Sequence, residues 1–410
     1  MSGSWLAPLR KRSSFLSGLP LRVTNLAELD PSRVELNHLA EYVIQERYRP
    51  SNMQACWAPT FAEGSANSLI LPTSPAINSA CNEVREQLYA SPQHKWSSQS
   101  LIMLNFPCKI AVESGAIFLE DGSLLAESLF PSAGETDIAH QLGGGLRQDN
   151  FERLLLSAPA MSDGIWAPVL SRWSTVYFHL LSESLVANHM FAMAGLAKQL
   201  RHPCPSHLEG ARKLLKAEVY GTLIKTDAPI IQVPRVLLSS DLYDHAILGG
   251  GFRSLIESLR IEAVTYRPRR YKAQPERIYI SRTKWPGREL SNENLLTKRL
   301  AALGFSIFEV GSRSLRDQVH YFSNASVVAG PFGSGLTNAA FARPGVVLCD
   351  LRPLNAAVQS PLTANEFKPM TALLGGRYCA HVFENAPSQD AWQIDVDEAF
   401  EFISSALRNV

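Results

Sequence analysis

The alternation of apolar and polar positions is clearest between Arg277 and Asp350. Four short apolar runs, 277–282, 305–310, 325–330 and 346–351, are separated there by turn residues or by stretches of helical spacing. Short apolar runs alternating with helices predict strands of a parallel sheet buried on both faces. Between the first two runs, Ser291 precedes leucines at 295, 296, 300 and 303, and Gly304 follows. That spacing predicts a helix closed by a glycine. A second helix is predicted around Leu315 to Phe322. The third run leads directly into Gly330-Pro-Phe-Gly-Ser-Gly335. In open α/β sheets, ligands bind at loops that follow the carboxyl ends of strands. The candidate site is therefore Gly330 to Asn338, with Ser281 and Arg282 beside it.

Elsewhere the pattern is weaker. Residues 21–50 predict one helix and a linker, with Asp30-Pro31 as its start and Val34, Leu36, Leu39, Val43 and Ile44 as its apolar positions. Residues 50–80 are rich in Ser, Asn, Pro and Ala and are read as loop. From Ile110 the signal becomes β. Asp121-Gly122 lies between the apolar runs Ile117–Leu119 and Leu124–Leu125, which predicts a hairpin. Gly143–Gly145 is read as a flexible loop. Helical spacing resumes after Trp173 and runs through Val186, Met190, Phe191, Met193 and Leu196. On such a helix His179 and Glu183, four residues apart, share one face.

A helix rich in Lys and Arg is predicted over 207–220, and strands over Ile230–Val233 and Val236–Leu238. Asp241 is read as a helix cap. Gly249–Gly251 makes the sharpest mid-chain break, ahead of a helix from Phe252 to Leu259, so a domain boundary is expected near 255. A last helix is expected over Asp395–Leu407.

Composition adds mostly exclusions. A chain of 410 residues is long enough for two domains. The 39 Lys and Arg nearly cancel the 38 Asp and Glu, and only small basic clusters occur, at 10–12 and 267–272. Nothing there asks for a nucleic-acid partner. The six cysteines are widely spaced with no C-x-x-C pair, which argues against a zinc ribbon and suits reduced thiols. No run of 18 apolar residues occurs, so no transmembrane helix is expected. The N-terminal apolar stretch is too short and too interrupted by Lys and Arg for a signal peptide. A peripheral membrane contact stays open there, beside the plainer reading of a docked terminus.

The candidate chemistry is anion binding and proton transfer. Gly333 and Gly335 allow close backbone approach, and a helix starting after them would offer free N–H groups to a phosphate. Thr337 and Asn338 would add side-chain hydrogen bonds. The loop is neither a P-loop nor a G-x-G-x-x-G fingerprint. Arg282 and Arg288 could each grip a diphosphate with two parallel hydrogen bonds. His179 and Glu183 could act as a base and its orienting carboxylate.

In combination these residues resemble the glycosyltransferase family 61 proteins, often labelled capsular polysaccharide biosynthesis proteins. The matching order is Ser281-Arg282, Arg288, Asn292-Glu293 and Leu296, then Gly330, Gly333, Ser334, Gly335, Leu336, Thr337, Asn338, Phe341, Pro344, Gly345 and Asp350. Upstream, Tyr177-Phe178-His179-Leu180-Leu181-Ser182-Glu183-Ser184-Leu185 is similar to a second family motif, with Leu180 where the family has Trp. One departure falls in the glycine loop, where many members have His and this chain has Phe332.

The resemblance implies an α/β, GT-B-like fold, with two Rossmann-like domains facing across a cleft. The implied division is an acceptor-side domain over 1–255 with an early β-rich segment, a nucleotide-sugar domain over 256–395, and a helix over 396–410 that could pack back on the first domain. It also implies an inverting transfer from a nucleotide-sugar to a glycan acceptor, with no cofactor and no bound metal, in the bacterial cytoplasm or at the inner face of the membrane. His179 would be the base and Glu183 its orienting partner. Ser281, Arg282, Arg288, Asn292, Gly333, Ser334, Gly335, Leu336, Thr337, Asn338 and Asp350 would hold the donor. The alternative is an inactive nucleotide- or glycan-binding module of the same fold.

Overall fold

The computed structural model describes residues 100–125, 128, 153–170, 174, 176–193, 195–205, 221–239, 250–265, 274–283, 289–309, 313–353, 367, 370–371, 374–383 and 391–408, together with the short strands Val23–Thr24, Val34–His38 and Leu69–Ile70. The fold is α/β, with parallel and mixed sheets. The chain divides into two compact units, Met1–Arg49 with Lys95–Leu255, and Pro50–His94 with Ile256–Val410.

The first unit holds two mixed sheets. One runs in the order Val23–Thr24, Leu124–Leu125, Ile117–Phe118, Cys108–Ala111, Ile230–Val233. The hairpin at Asp121-Gly122 is present: Leu119 N–H donates to the Ser123 carbonyl at 2.8 Å, and Gly122 takes a φ of 79°. Asp121 Oδ1 accepts from the Ser123 N–H and hydroxyl at 3.0 and 2.6 Å, which ties the turn.

The other sheet runs Thr222–Thr226, Leu200–Pro205, Ile165–Trp166, Val236–Ser239, Ser100–Leu104, Val34–His38. Its last strand corrects the helix expected over 21–50, because Val34–His38 pairs antiparallel with Ser100–Leu104. Val-Glu-Leu-Asn-His alternates with period two, and pairing with a neighbouring strand overrides the looser helical spacing beyond it. Leu104, Ile110, Ile117, Trp166, Ile231 and Val236 are buried in one cluster at the core of this unit.

The second unit is built on a six-stranded sheet in which every pair is parallel. The order is Ser306–Glu309, Arg277–Ser281, Val327–Pro331, Val347–Pro353, Arg377–Phe383, Leu69–Ile70. The first four strands in that order match the expected apolar runs to within two residues. Arg377–Phe383 was not expected, since Arg377, His381 and two aromatics hide its apolar content. Leu69–Ile70 was read as loop and placed with the first domain; two apolar residues are too short a run to signal a strand.

On one face, Tyr279, Val327, Ala329, Val347, Cys349, Leu351, Cys379 and Phe383 bury against the helices Glu293–Ala302 and Val396–Leu407. The last helix starts at Asp395, whose carboxylate accepts the Glu398 N–H at 3.0 Å. It buries Ala399, Phe402, Ile403 and Ala406 on this sheet. On the other face, Phe308 packs against Tyr321 and Phe322 of the helix Leu315–Phe322. That helix is capped by Ser314, which accepts the Asp317 N–H at 3.2 Å.

Counted along the chain from Arg277–Ser281, the first five strands lie in the order 2-1-3-4-5. The order reverses between Arg277–Ser281 and Val327–Pro331. At such a reversal the connections leave in opposite directions and open a crevice at the carboxyl ends. Ser281-Arg282 and Gly330–Gly333 lie at those two ends.

Candidate functional site

The strand end at Ser281 is held by a buried carboxylate. Arg282 N–H donates to both oxygens of Glu293 at 3.1 Å, and the Ser281 hydroxyl donates to Oε2 at 3.1 Å. Glu293 is fully buried at the start of its helix, where a negative side chain is favoured. Burial pushes its carboxyl up from the ordinary range, against those hydrogen bonds and the nearby Arg282 charge. Sequence reading quoted Glu293 within the motif but gave it no role. Its position three residues before Leu296, on the first turn of a buried helix, was the available signal.

Two glycines let the neighbouring strand close up. A Cβ on Gly330 would sit 2.9 Å from the Ile280 carbonyl oxygen and 3.1 Å from the Ile280 Cβ. A Cβ on Gly333 would collide with Nη1 of Arg282. The Arg282 guanidinium thus lies against the glycine loop, so the structure brings these two parts of the candidate site together.

The segment after Gly333 is a 3-10 helix, Ser334–Phe341. Ser334 and Gly335 are half-buried, whereas Leu336, Thr337 and Asn338 are buried. Asn338 Nδ2 donates back to the Gly335 carbonyl at 3.0 Å. The Thr337 hydroxyl is buried and has no hydrogen-bond partner among the described residues. The outer surface of the loop is therefore mostly backbone.

Two other expected donor contacts face inward. Asn292 Nδ2 donates to the Ile394 carbonyl at 2.8 Å, and its Oδ1 accepts the Ile394 N–H at 3.3 Å. Asn292 thus ties the Glu293–Ala302 helix to the C-terminal segment. Asp350 is fully buried, and its Oδ2 accepts from Arg352 Nε at 2.6 Å and from the Tyr378 hydroxyl at 2.8 Å. Burial raises the Asp350 carboxyl, with the Arg352 charge and both hydrogen bonds opposing. Arg352 itself is fully buried, and the Asp350 charge holds its guanidinium protonated against the cost of burial.

Above this pair sits Phe332, the residue that departs from the family pattern. Its ring centroid is 4.3 Å from Arg352 Cζ, and its N–H donates to the Leu351 carbonyl at 2.8 Å. The ring is 7% exposed and meets Phe367 edge-on. Arg352 and Tyr378 were missed from sequence. Arg352 was legible in principle, since two residues after Asp350 on a strand means the same face. Arg288 lies outside the described residues, as do Asp241, the 207–220 helix and the 143–145 glycines.

In the first unit, one continuous helix carries the other candidate pair. It is α over Tyr177–His179, π over Leu180–Ser184, and α again over Leu185–Met193. Such π-turns occur often at functional sites. Ser182 Oγ donates to the Phe178 carbonyl at 2.8 Å, and Ser184 Oγ shares a buried 2.8 Å hydrogen bond with Ser174. Further along, His189 Nε2 lies 2.9 Å from Ser254 Oγ, and burial pushes that imidazole down to about 4.

His179 Nδ1 lies 2.7 Å from Glu183 Oε1, and the two side chains are 17% and 13% exposed. A carboxylate at Nδ1 favours the tautomer with the proton there. Nε2 then presents its lone pair and can accept a proton. This is the arrangement of a general base with an orienting partner.

Residues 161–349 match the family model described as Glycosyltransferase 61. It is the family that the motifs resemble, and the matched span holds His179, Glu183, Arg282 and the whole glycine loop. The match supports glycosyltransferase activity in general. No curated protein matches the chain.

Proposed function

We propose that this glycosyltransferase family 61 domain moves a sugar from a nucleotide-sugar donor to a glycan acceptor with inversion, in capsular or exopolysaccharide synthesis. The observation that carries this reading is the 2.7 Å contact between His179 Nδ1 and Glu183 Oε1, on a half-buried helical turn. In the proposed step, His179 Nε2 takes the proton of an acceptor hydroxyl. The hydroxyl oxygen bonds to the anomeric carbon as the bond from that carbon to the diphosphate breaks. The departing electron pair goes to the diphosphate, which Arg282, Arg288 and the backbone N–H groups of 333–338 would stabilise. Neither a cofactor nor a metal enters this scheme.

The finer expectations rest on the family resemblance. They are a GT-B-like arrangement in which the first unit binds acceptor and the second binds donor, a bacterial source, and action in the cytoplasm or at the inner membrane face. Among the described residues, no helix is long and apolar enough to cross a membrane.

The test is a panel of nucleotide-sugars and oligosaccharide acceptors with the purified chain and with His179→Ala. The variant is expected to keep nucleoside-diphosphate affinity and to lose transfer by about 100-fold or more, the scale of positioned base catalysis. Transfer at the wild-type rate by His179→Ala would overturn the base assignment. Binding of donor without transfer or hydrolysis by the wild-type chain would favour the inactive module.

A further inference from the structure

We infer that Phe332 is a positioning residue for the anion-binding loop, acting through its stack on the buried Arg352. The inference rests on the donor role proposed for that loop. It names a residue outside the donor contacts as one determinant of donor affinity.

The argument starts from what lies under the loop. The strand Val327–Pro331 ends at Pro331, and the 3-10 helix begins at Ser334. Only Phe332 and Gly333 lie between them. Gly333 has no side chain, and a Cβ there would displace the Arg282 guanidinium. Phe332 is thus the one side chain of this two-residue turn that can anchor it. Its backbone is tied to the next strand by the bond from its N–H to the Leu351 carbonyl, 2.8 Å. Its ring lies over the Arg352 guanidinium, 4.3 Å from centroid to Cζ.

Arg352 is a firm base for such a stack. It is fully buried, with Nε 2.6 Å from Asp350 Oδ2 and 3.2 Å from the Tyr378 hydroxyl. A cation fixed edge-on by a carboxylate leaves its flat face to an aromatic ring, and burial strengthens the attraction. The same ring keeps water from the ion pair, so loop and network hold each other. Displacing the ring would shift Gly333, and with it the contact that seats the Arg282 guanidinium against the loop.

The experiment compares Phe332→Leu and Phe332→Tyr with the wild type. Leucine keeps apolar volume and removes the π face; tyrosine keeps the face. Calorimetry reads affinity for UDP and GDP, and thermal melting checks the fold of each variant. The expected result is about a tenfold loss of affinity in Phe332→Leu, with wild-type affinity restored in Phe332→Tyr. In transfer assays the leucine variant raises the donor KM and leaves the acceptor KM unchanged. Equal affinity in Phe332→Leu and wild type would overturn the inference, and so would a tyrosine variant as weak as leucine. A wild-type chain that binds neither diphosphate would instead overturn the donor reading on which it rests.

Discussion

The two motif regions use their polar residues in opposite ways. In the second unit the motif side chains bind the protein itself. Asn292 holds the Ile394 backbone, Glu293 holds the Arg282 N–H and the Ser281 hydroxyl, Asn338 holds the Gly335 carbonyl, and Asp350 holds Arg352 and Tyr378. In the first unit His179 and Glu183 bind each other and stay partly exposed, with Nε2 on the far side of the ring. A polar motif residue can thus serve by shaping a loop or by offering an atom. In the second unit, shape dominates: buried side chains hold a loop that presents backbone and one arginine.

The sharpest way to break this contrast is Asp350→Ala. Removing one partner of a buried ion pair leaves the other charge uncompensated, which costs about 3–5 kcal/mol. Urea denaturation of the variant is expected to show a loss of that size. A loss under about 1 kcal/mol would mean that Arg352 can relax or reach solvent, and the network would then not be the base of the loop.

Acid offers a second comparison, because each unit buries a histidine. Burial pushes His189 in the first unit and His381 in the second down to about 4. His381 Nε2 lies 3.1 Å from Glu398 Oε1, but that carboxylate is 41% exposed and hydrated, while the ring is 1% exposed between Phe383 and Phe402. Burial therefore wins. The unfolded chain takes up these protons below about 6.5 and the native chain does not until about 4. Their contribution is fully present above 6.5 and is lost as pH falls toward 4, by roughly 3 kcal/mol for each histidine at most. The raised carboxyls of Glu293 and Asp350 act in the other direction, since the native state takes their protons first. Thermal melts between pH 7.5 and 4.5 should fall with acid, and His189→Gln should flatten the fall. An unchanged slope in His189→Gln would mean that the ring titrates normally in the native state.

How legible each region was in sequence follows from the same physics. The parallel sheet could be read because its strands are buried on both faces, so Val327–Ala329 and Val347–Cys349 appear as unbroken apolar runs. Its switch point could be located because a glycine stands at Gly330, where a Cβ would sit 2.9 Å from the Ile280 carbonyl oxygen. The first unit was harder. Strands such as Ile165–Trp166 and Val23–Thr24 span two residues, and Val34–His38 exists through its partner Ser100–Leu104. Inward-facing roles were missed for a related reason. Arg352 and Glu293 look like surface residues by type, with only their spacing to Asp350 and Leu296 hinting otherwise, and Tyr378 lies on a strand that the sequence reading did not expect.

The finest test sets one residue from each region side by side, Asn292→Ala against Glu183→Gln. Asn292 makes two hydrogen bonds to one backbone unit, and losing them should cost about 1–2 kcal/mol of stability. Because its amide is already engaged, the variant should bind nucleoside diphosphate nearly as well as wild type. Glu183→Gln should do the reverse. The partly buried pair is replaced by a neutral hydrogen bond of similar geometry, so stability should fall by no more than about 1 kcal/mol. Yet glutamine, whose amide can donate as well as accept, no longer fixes the imidazole tautomer, so kcat should fall about tenfold or more while melting barely moves. Melting curves and steady-state kinetics on both variants would check this crossing. If Asn292→Ala instead lost diphosphate affinity without losing stability, its amide would have to leave Ile394 to reach ligand. The second region would then also use its motif side chains as reagents, and the distinction between the two would fail.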